Sequence, residues 1–205
     1  MSLTLKNKNV EIHVDEPFEK YTSARFDWTG KITDILYLNT PLTTIESLNN
    51  VHRESFGRGL YNEFGIETAL GFNETKKGDW FHKIGVGLLR KEDAEYAFGK
   101  DYEIKPAEFN IISDSNHINF TCTAAKINGY SYSLKKRFVL NENGFAIHYL
   151  LENTGDKPIV TDEYCHNFLA IDNDWMNANY RLKFSFGLKP ELFEESVNRG
   201  QKVEI

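Results

Sequence analysis

The 205-residue sequence has few of the residues that mark several classes of protein. It contains only two cysteines, Cys122 and Cys165, without the spacing of a metal site, so neither a disulfide framework nor a zinc knuckle is indicated. No apolar run approaches membrane-spanning length, and residues 1–10 lack the apolar stretch of a signal peptide. We therefore expect a cytoplasmic protein with no membrane partner.

Long basic runs are also lacking. The formal net charge is −6, and no run of Lys or Arg is longer than the one at residues 135–137. This run is predicted to lie on the solvated face of a strand. Because a nucleic-acid-binding surface needs clustered positive charge, the sequence argues against nucleic acid as a partner.

Helix signals are nearly absent, and one short turn at residues 190–197 is the clearest of them. The sequence is instead rich in aromatic residues, with fifteen Phe and ten Tyr, which favour strands. Polar and apolar residues alternate in residues 10–14 and again in residues 118–124, 130–136 and 145–151, where short turns separate the segments. This pattern predicts an all-β chain, folded over residues 1–205 as a single large antiparallel β-sandwich domain.

Residues 161–172 (TDEYCHNFLAID) place a histidine among carboxylates and aromatic residues. The apolar and β-branched residues around them predict a strand, which would hold His166 on a rigid element. Histidine can take up and release a proton near neutral pH, although a lone histidine in a strand is also often a hydrogen-bonded structural residue. Cys165 is disfavoured as a nucleophile paired with His166, because neighbours in a strand point to opposite faces.

Residues 43–80 are rich in Asn, Gly, Glu and Ser and show little periodicity. This composition predicts a loop-dominated stretch that carries binding groups on a scaffold of strands. Gly57, Gly59 and Gly65 lie in this stretch and would let the backbone approach a ligand closely.

Three segments, in this order, resemble those of the aldose 1-epimerase (galactose mutarotase) family. Residues 57–64 (GRGLYNEF) resemble Gly-Arg-x-x-Asn-Arg-Ile, residues 81–88 (FHKIGVGL) resemble His-Gly-Gly-x-x-Gly-Phe, and residues 166–169 (HNFL) resemble His-x-Tyr-Phe-Asn-Leu. The resemblance implies a galactose mutarotase-like supersandwich and an isomerase that interconverts the anomers of a free aldose or related sugar. It implies a small-molecule sugar as partner and no metal or other cofactor.

The resemblance also implies residue roles. His166 would be the acid that protonates the ring oxygen, while His82, Arg58 and Asn62 would position the sugar. Glu63 stands where the family has arginine, so a sugar hydroxyl would meet a hydrogen-bond acceptor there in place of a donor. The substrate is expected to differ accordingly.

The family's catalytic base, a glutamate near the C-terminus, has no matching motif here. Glu163, Asp162, Asp172 and Asp174 are local candidates for this role, and Glu163 is equally a candidate for binding the sugar or supporting the site. A metal site built from His82, His166 and Glu163 is disfavoured, because residues three apart on a strand face opposite sides. The later glutamates, at positions 191, 194, 195 and 204, lie in a segment predicted as surface loop.

The resemblance covers about the first two-thirds of the family pattern, so we expect the fold to be C-terminally incomplete, with the family's final strands missing. An unpaired sheet edge would then favour a homodimer. Two functional hypotheses follow from the sequence. One is an aldose 1-epimerase-like isomerase, and the other is a non-catalytic carbohydrate-binding domain or truncated remnant that lacks the base.

Overall fold

The computed structural model describes residues 3–47, 55–177, 179–181, 183 and 185–186. Within these residues the chain forms short strands and one 3-10 helix, Phe72–Glu74. The strands are β1 (Leu3–Lys6), β2 (Val10–Asp15), β3 (Lys31–Tyr37), β4 (Thr40–Pro41), β5 (Leu60–Phe64), β6 (Trp80–Lys83), β7 (Gly87–Arg90), β8 (Ile104–Pro106), β9 (Glu108–Ser113), β10 (His117–Thr123), β11 (Tyr132–Asn141), β12 (Gly144–Asn153), β13 (Glu163–Asn167), β14 (Ala170–Ile171) and β15 (Asp174–Trp175).

The strands assemble into antiparallel sheets. A six-stranded sheet has the order β1-β2-β3-β5-β13 with β4 beside β3, and a four-stranded sheet has the order β12-β11-β10-β9. Strands β6, β7 and β8 form a third sheet, and β14 pairs with β15. The predicted all-β architecture is confirmed, as is the meander of three successive strands, which forms β10, β11 and β12. The single domain over residues 1–205 and the mutarotase-like supersandwich stay predictions.

An apolar core lies between the two larger sheets, as in a β-sandwich. Leu5, Ile12 and Ile32 of the six-stranded sheet pack in one cluster with Phe120 and Phe138 of the four-stranded sheet, and all five are at most 1% exposed. Burial of such side chains stabilises the fold by about 1.5–3 kcal/mol each. The inward alternation of both sheets is therefore the main source of stability.

A second core covers the opposite face of the six-stranded sheet. There Tyr61 of β5 packs with Phe26, and both belong to a cluster that includes Phe81 and Leu89 of the third sheet. β5 consequently lies between two apolar layers, whereas its neighbour β13 is largely exposed. Side chains that alternate along the ladder between these two strands point into two different environments.

Most of the described residues between 43 and 80 lie outside strands, as predicted, although β5 lies among them and pairs with β13, about a hundred residues later in the chain. One local prediction is wrong. Lys136 is not on a solvated face, since it is 2% exposed and points between the sheets. The predicted turn at residues 190–197 and the glutamates at 191, 194, 195 and 204 lie outside the described residues.

Both long sheets end at strands that carry exposed apolar side chains. In the part of the chain that the structure describes, β13 borders the six-stranded sheet and β12 borders the four-stranded one. Tyr149 and Leu150 of β12 and Tyr164 of β13 are 42%, 51% and 52% exposed. The homodimer stays a prediction.

Among the described residues, no helix has the length and apolar character needed to cross a bilayer. The cytoplasmic location stays a prediction.

Candidate functional site

The β5–β13 ladder divides the predicted site residues between its two faces. Its register pairs Tyr61 with His166, Asn62 with Cys165 and Glu63 with Tyr164. Directly paired residues share a face, and neighbours along a strand do not. Tyr61, Glu63, Tyr164 and His166 therefore form what we call the His166 face, and Asn62, Glu163 and Cys165 form the Asn62 face.

On the His166 face, the predicted acid contacts a buried carboxylate. Nε2 of His166 lies 3.4 Å from Oε2 of Glu63, and the two side chains are 23% and 1% exposed. A carboxylate in this position fixes the orientation of the imidazole ring. The ring of His166 can thus be reached from solvent while Glu63 holds it from the buried side.

Arg25 holds this carboxylate in place. Its Nε lies 3.2 Å from Oε2 of Glu63, and its Nη1 donates to Oε1 of Glu46 over 2.8 Å. Oε2 of Glu46 also accepts a hydrogen bond from the backbone N–H of Gly57, at 2.7 Å. One guanidinium therefore links two carboxylates, of which Glu63 is buried and Glu46 is partly exposed, at 22%.

Sequence reasoning missed Arg25 and Glu46. Neither residue lies in the three segments that carry the family resemblance. The residue after Arg25 is the aromatic Phe26. Its ring packs under the guanidinium, with 4.4 Å between the ring centroid and Cζ of Arg25. An arginine next to buried aromatic residues was the available signal, because a buried guanidinium requires carboxylate partners.

Aromatic rings surround His166. Tyr164 lies 4.2 Å from it between ring centroids, Phe168 stacks on it at 5.6 Å, and Phe26 meets it edge-on at 5.2 Å. Tyr164 is 52% exposed, so its ring offers a flat apolar surface beside the histidine. This arrangement can stack against the C–H face of a sugar ring while His166 exchanges a proton with one of its oxygens.

On the opposite face, Asn62 is a hydrogen-bonded junction. Its Oδ1 accepts from Tyr149 Oη at 2.6 Å and from Lys136 Nζ at 3.1 Å, and its Nδ2 donates to Glu163 Oε1 at 2.6 Å and to Cys165 Sγ at 3.3 Å. These four bonds use the full capacity of the amide. Asn62 therefore connects β11, β12 and β13, and in this arrangement its amide has no bond left for a sugar.

Glu163 and Cys165 share this junction. The Cys165 thiol lies 3.4 Å from Oε1 of Glu163. Burial and then the neighbouring carboxylate raise the pKa of the thiol, which disfavours the nucleophilic thiolate. The structure thus brings Glu163 to Asn62 and places it on the other side of the sheet from His166.

His82 lies apart from both faces. Its ring is 1% exposed and meets Tyr132 edge-on at 5.9 Å between ring centroids. Burial lowers the pKa of His82 because it disfavours the charged ring, and the backbone of Ile127 and Tyr130 offsets part of this effect. Among the described residues, neither ring nitrogen has a partner that meets standard hydrogen-bond geometry. A sugar bound at His166 would not reach this ring without a rearrangement.

Arg58 also faces elsewhere. Its Nη2 donates to Asp34 Oδ1 at 2.7 Å, in a surface cleft beside β3. Its neighbour Gly57, by contrast, packs against Phe168 and Phe26 of the His166 face. The structure therefore separates Arg58 from His166 by the backbone at residues 57–59.

The local candidates for a base have other partners. Asp162 accepts hydrogen bonds from the backbone N–H groups of Ile66 and Glu67, and Asp174 accepts from Asn177. Asp172 occupies a hairpin turn with φ of 53°. Of the carboxylates in the described part of the chain, it is Glu63 that lies at ion-pair distance from His166.

Over the residues described, no group of three His, Cys, Asp or Glu side chains is arranged to hold a metal ion. No protein-family model matches the chain, and neither a curated protein nor a solved structure matches it. The functional interpretation therefore depends on the geometry around His166.

Proposed function

We propose that the chain binds a cyclic sugar at the His166 face and interconverts its anomers, as an aldose 1-epimerase does. The observation that carries the proposal is the contact between His166 and Glu63, in which a partly exposed imidazole rests on a buried carboxylate among aromatic rings. Nε2 faces Glu63, so Nδ1 is the nitrogen available to a ligand. Interconversion requires a group that protonates the ring oxygen, and His166 has this role in the proposal.

A second proton-transfer group must take the proton from the anomeric hydroxyl. Glu63 is poorly placed for this task, because its Oε2 is shared by His166 and Arg25. We assign the role to Glu46, whose carboxylate is joined to the same Arg25 and is more exposed than Glu63. As the ring opens, the proton of the anomeric hydroxyl goes to Glu46 and the ring oxygen receives one from His166. After rotation about C1–C2 the ring closes on the other face: the former ring oxygen attacks C1 and returns its proton to His166, while the C1 oxygen takes the proton back from Glu46, which gives the second anomer.

The alternative is a carbohydrate-binding domain without turnover. One observation favours it, since Glu46 and Glu63 both already accept hydrogen bonds from Arg25, which occupies oxygens that a base would need. In that case the aromatic surface of Tyr164 and the Arg25 network would bind the sugar and leave its anomers unchanged.

The test is the rate of anomer interconversion of freshly dissolved α-glucose and α-galactose, followed by polarimetry with and without the protein. We expect acceleration by the native chain and a loss of about a hundredfold or more in His166→Gln, the contribution typical of a general acid. Glu46→Gln should have an effect of similar size. His148→Gln is the matched control, because His148 is an exposed histidine on β12 of the other sheet.

Three outcomes separate the hypotheses. Acceleration that survives in His166→Gln would refute the role of His166. Sugar binding without acceleration, detected as shifted Tyr164 and His166 NMR resonances, would favour the binding domain. The absence of both binding and acceleration in folded protein would overturn the two hypotheses together.

A further inference from the structure

A second cleft lies beside β3 and the residues that follow β4, on the far side of residues 57–59 from His166. It encloses about 340 Å³. Its walls include Thr33, Asp34, Thr44, Arg58, Asn173 and Trp175. The cleft therefore combines one large aromatic ring with hydroxyl, amide and charged groups.

The β14–β15 hairpin forms one wall of the cleft. Backbone hydrogen bonds fasten it to the end of β4 and the residue that follows, from Ala170 N to Leu42 O at 3.2 Å and from Asp172 N to Pro41 O at 2.8 Å. Its turn residues Asp172 and Asn173 both have positive φ, 53° and 62°, as a tight two-residue hairpin requires. The hairpin thus holds Asn173 and Trp175 at fixed positions over the cleft.

Arg58 and Asp34 form the polar side of the cleft. They are joined at 2.7 Å, yet their side chains stay 41% and 44% exposed, so both can still bind a ligand. Nε of Arg58 is buried and has no hydrogen-bond partner among the described residues. The exposed parts of the Arg58 guanidinium and the Asp34 carboxylate therefore present hydrogen-bond donors and acceptors side by side in the cleft.

We propose that this cleft is a second binding site, specific for a neutral saccharide. Vicinal hydroxyl groups of a sugar can accept from Arg58 and donate to Asp34 at the same time, while Asn173 and the threonine hydroxyls supply further partners. The ring of Trp175 offers the apolar surface on which the C–H face of the sugar stacks. The cleft's own residues would bind the sugar whether or not His166 catalyses a reaction.

The charges of the cleft decide against an anionic ligand. Arg58 and Asp34 cancel one another, and the Asp34 carboxylate would face the added charge of a uronate or phosphate directly. A purely apolar ligand would displace water from Arg58 and Asp34 without offering them hydrogen-bond partners, which disfavours its binding. A neutral sugar avoids both penalties.

The test is an NMR titration of the whole chain that follows the indole N–H resonances of its tryptophans. The Trp175 resonance is assigned by its loss in Trp175→Phe, and Trp28, 2% exposed, provides an internal reference that should not move. Glucose, galactose, maltose and lactose are the neutral probes, and galacturonate is the anionic one. We expect the neutral sugars to shift the Trp175 resonance with saturation, and galacturonate to bind at least about tenfold more weakly.

Arg58→Met and Asp34→Asn should each weaken neutral-sugar binding by about tenfold, the loss of one charged hydrogen-bond partner. If Arg58→Met does not fold, Asn173→Ala serves in its place. His166→Gln should leave the Trp175 shift unchanged, which separates this site from the His166 face. Absence of a saturable shift with every neutral sugar, or tighter binding of galacturonate, would overturn the proposal.

Discussion

Nζ of Lys136 lies 2.8 Å from Oδ2 of Asp27 in the interior of the protein, where the two side chains are 2% and 0% exposed. Lys136 comes from β11 and Asp27 from the segment before β3, and Lys136 also donates to Asn62 of β5. Burial acts to lower the pKa of Lys136, but Asp27, Tyr149 and Glu163 together outweigh it, so the pKa lies above its ordinary value. The ion pair thus joins the two sheets directly behind the His166 ladder.

We expect Lys136→Met to reduce the free energy of unfolding by about 3–5 kcal/mol at neutral pH, because it leaves the Asp27 carboxylate buried without its partner. Urea unfolding followed by tryptophan fluorescence measures the change. The double variant Lys136→Met with Asp27→Asn should recover part of the loss, since the unpaired charge is then removed. A loss below about 1 kcal/mol in the single variant, the value of an exposed pair, would contradict the buried ion pair.

Lys31 is a second buried lysine, and its environment differs from that of Lys136. It is 1% exposed, and its Nζ has no hydrogen-bond partner in the described part of the chain. Burial lowers its pKa to about 8, although Asp15 and Asp27 oppose the shift. We expect Lys31→Met to be neutral or to stabilise the fold by about 1–3 kcal/mol, because it removes a desolvated charge without breaking a pair.

The pH dependence of stability provides a second measurement on the same residue. The pKa of Lys31 in the folded state is lower than the ordinary 10.5, so between pH 8 and 10.5 the unfolded chain binds more protons than the folded one. Stability should therefore rise with pH in this window, by about 1.4 kcal/mol per pH unit for each fully shifted group. Lys83, whose pKa burial also lowers to about 8, should contribute to the same slope.

The slope should be smaller in Lys31→Met. Lys135→Met is the control, because Lys135 is an exposed lysine paired with Glu152 at the surface. An unchanged slope together with a destabilised Lys31→Met would mean that Lys31 has a partner, such as a bridging water to the unpaired Oδ2 of Asp15.

These lysines show where sequence reasoning succeeds and where it stops. Alternation predicted β10, β11 and β12, since each strand is paired with its neighbour and half-buried. The same alternation places Lys136 on the inner face with Leu134 and Phe138, but three basic residues in a row favoured solvent. Lys136 can be buried because it pairs with Asp27. That residue lies more than a hundred positions away, so the local sequence pattern does not reveal the pairing.

The candidate site was predictable only in part, for the same reason. The strand around His166 was expected from its apolar and β-branched residues, and Glu163 and His166 were expected on opposite faces. The pairing of β13 with β5 decides which residues contact His166. Its register places Glu63 on the same face as the histidine and Asn62 on the opposite face. Arg25 reaches the site from a segment that lies outside any strand.

Gly59 holds the backbone that separates the His166 face from the Arg58 cleft. Its φ is +61°, and a Cβ added there would lie 2.2 Å from the backbone oxygen of Ile32. Its N–H donates to Thr44 O at 2.9 Å, and its carbonyl accepts from the N–H of Phe168, at 2.8 Å. Both sides of this crossing are main chain, so neither can move aside for a side chain.

We expect Gly59→Ala to lower the free energy of unfolding by about 3 kcal/mol or more, because left-handed strain of about 1–2 kcal/mol is added to a backbone clash. Gly78→Ala is the matched control, since Gly78 has φ of +91° but no atom within 4 Å of the added Cβ. That variant should lose only the conformational term, about 1–2 kcal/mol. Urea unfolding of the two variants measures the difference, and equal losses would show that the close approach of Gly59 to β3 is absent.

Because Phe168 is hydrogen-bonded to Gly59 and stacks on His166, Gly59→Ala should also displace the histidine and weaken sugar binding on that face, whereas Gly78→Ala should not.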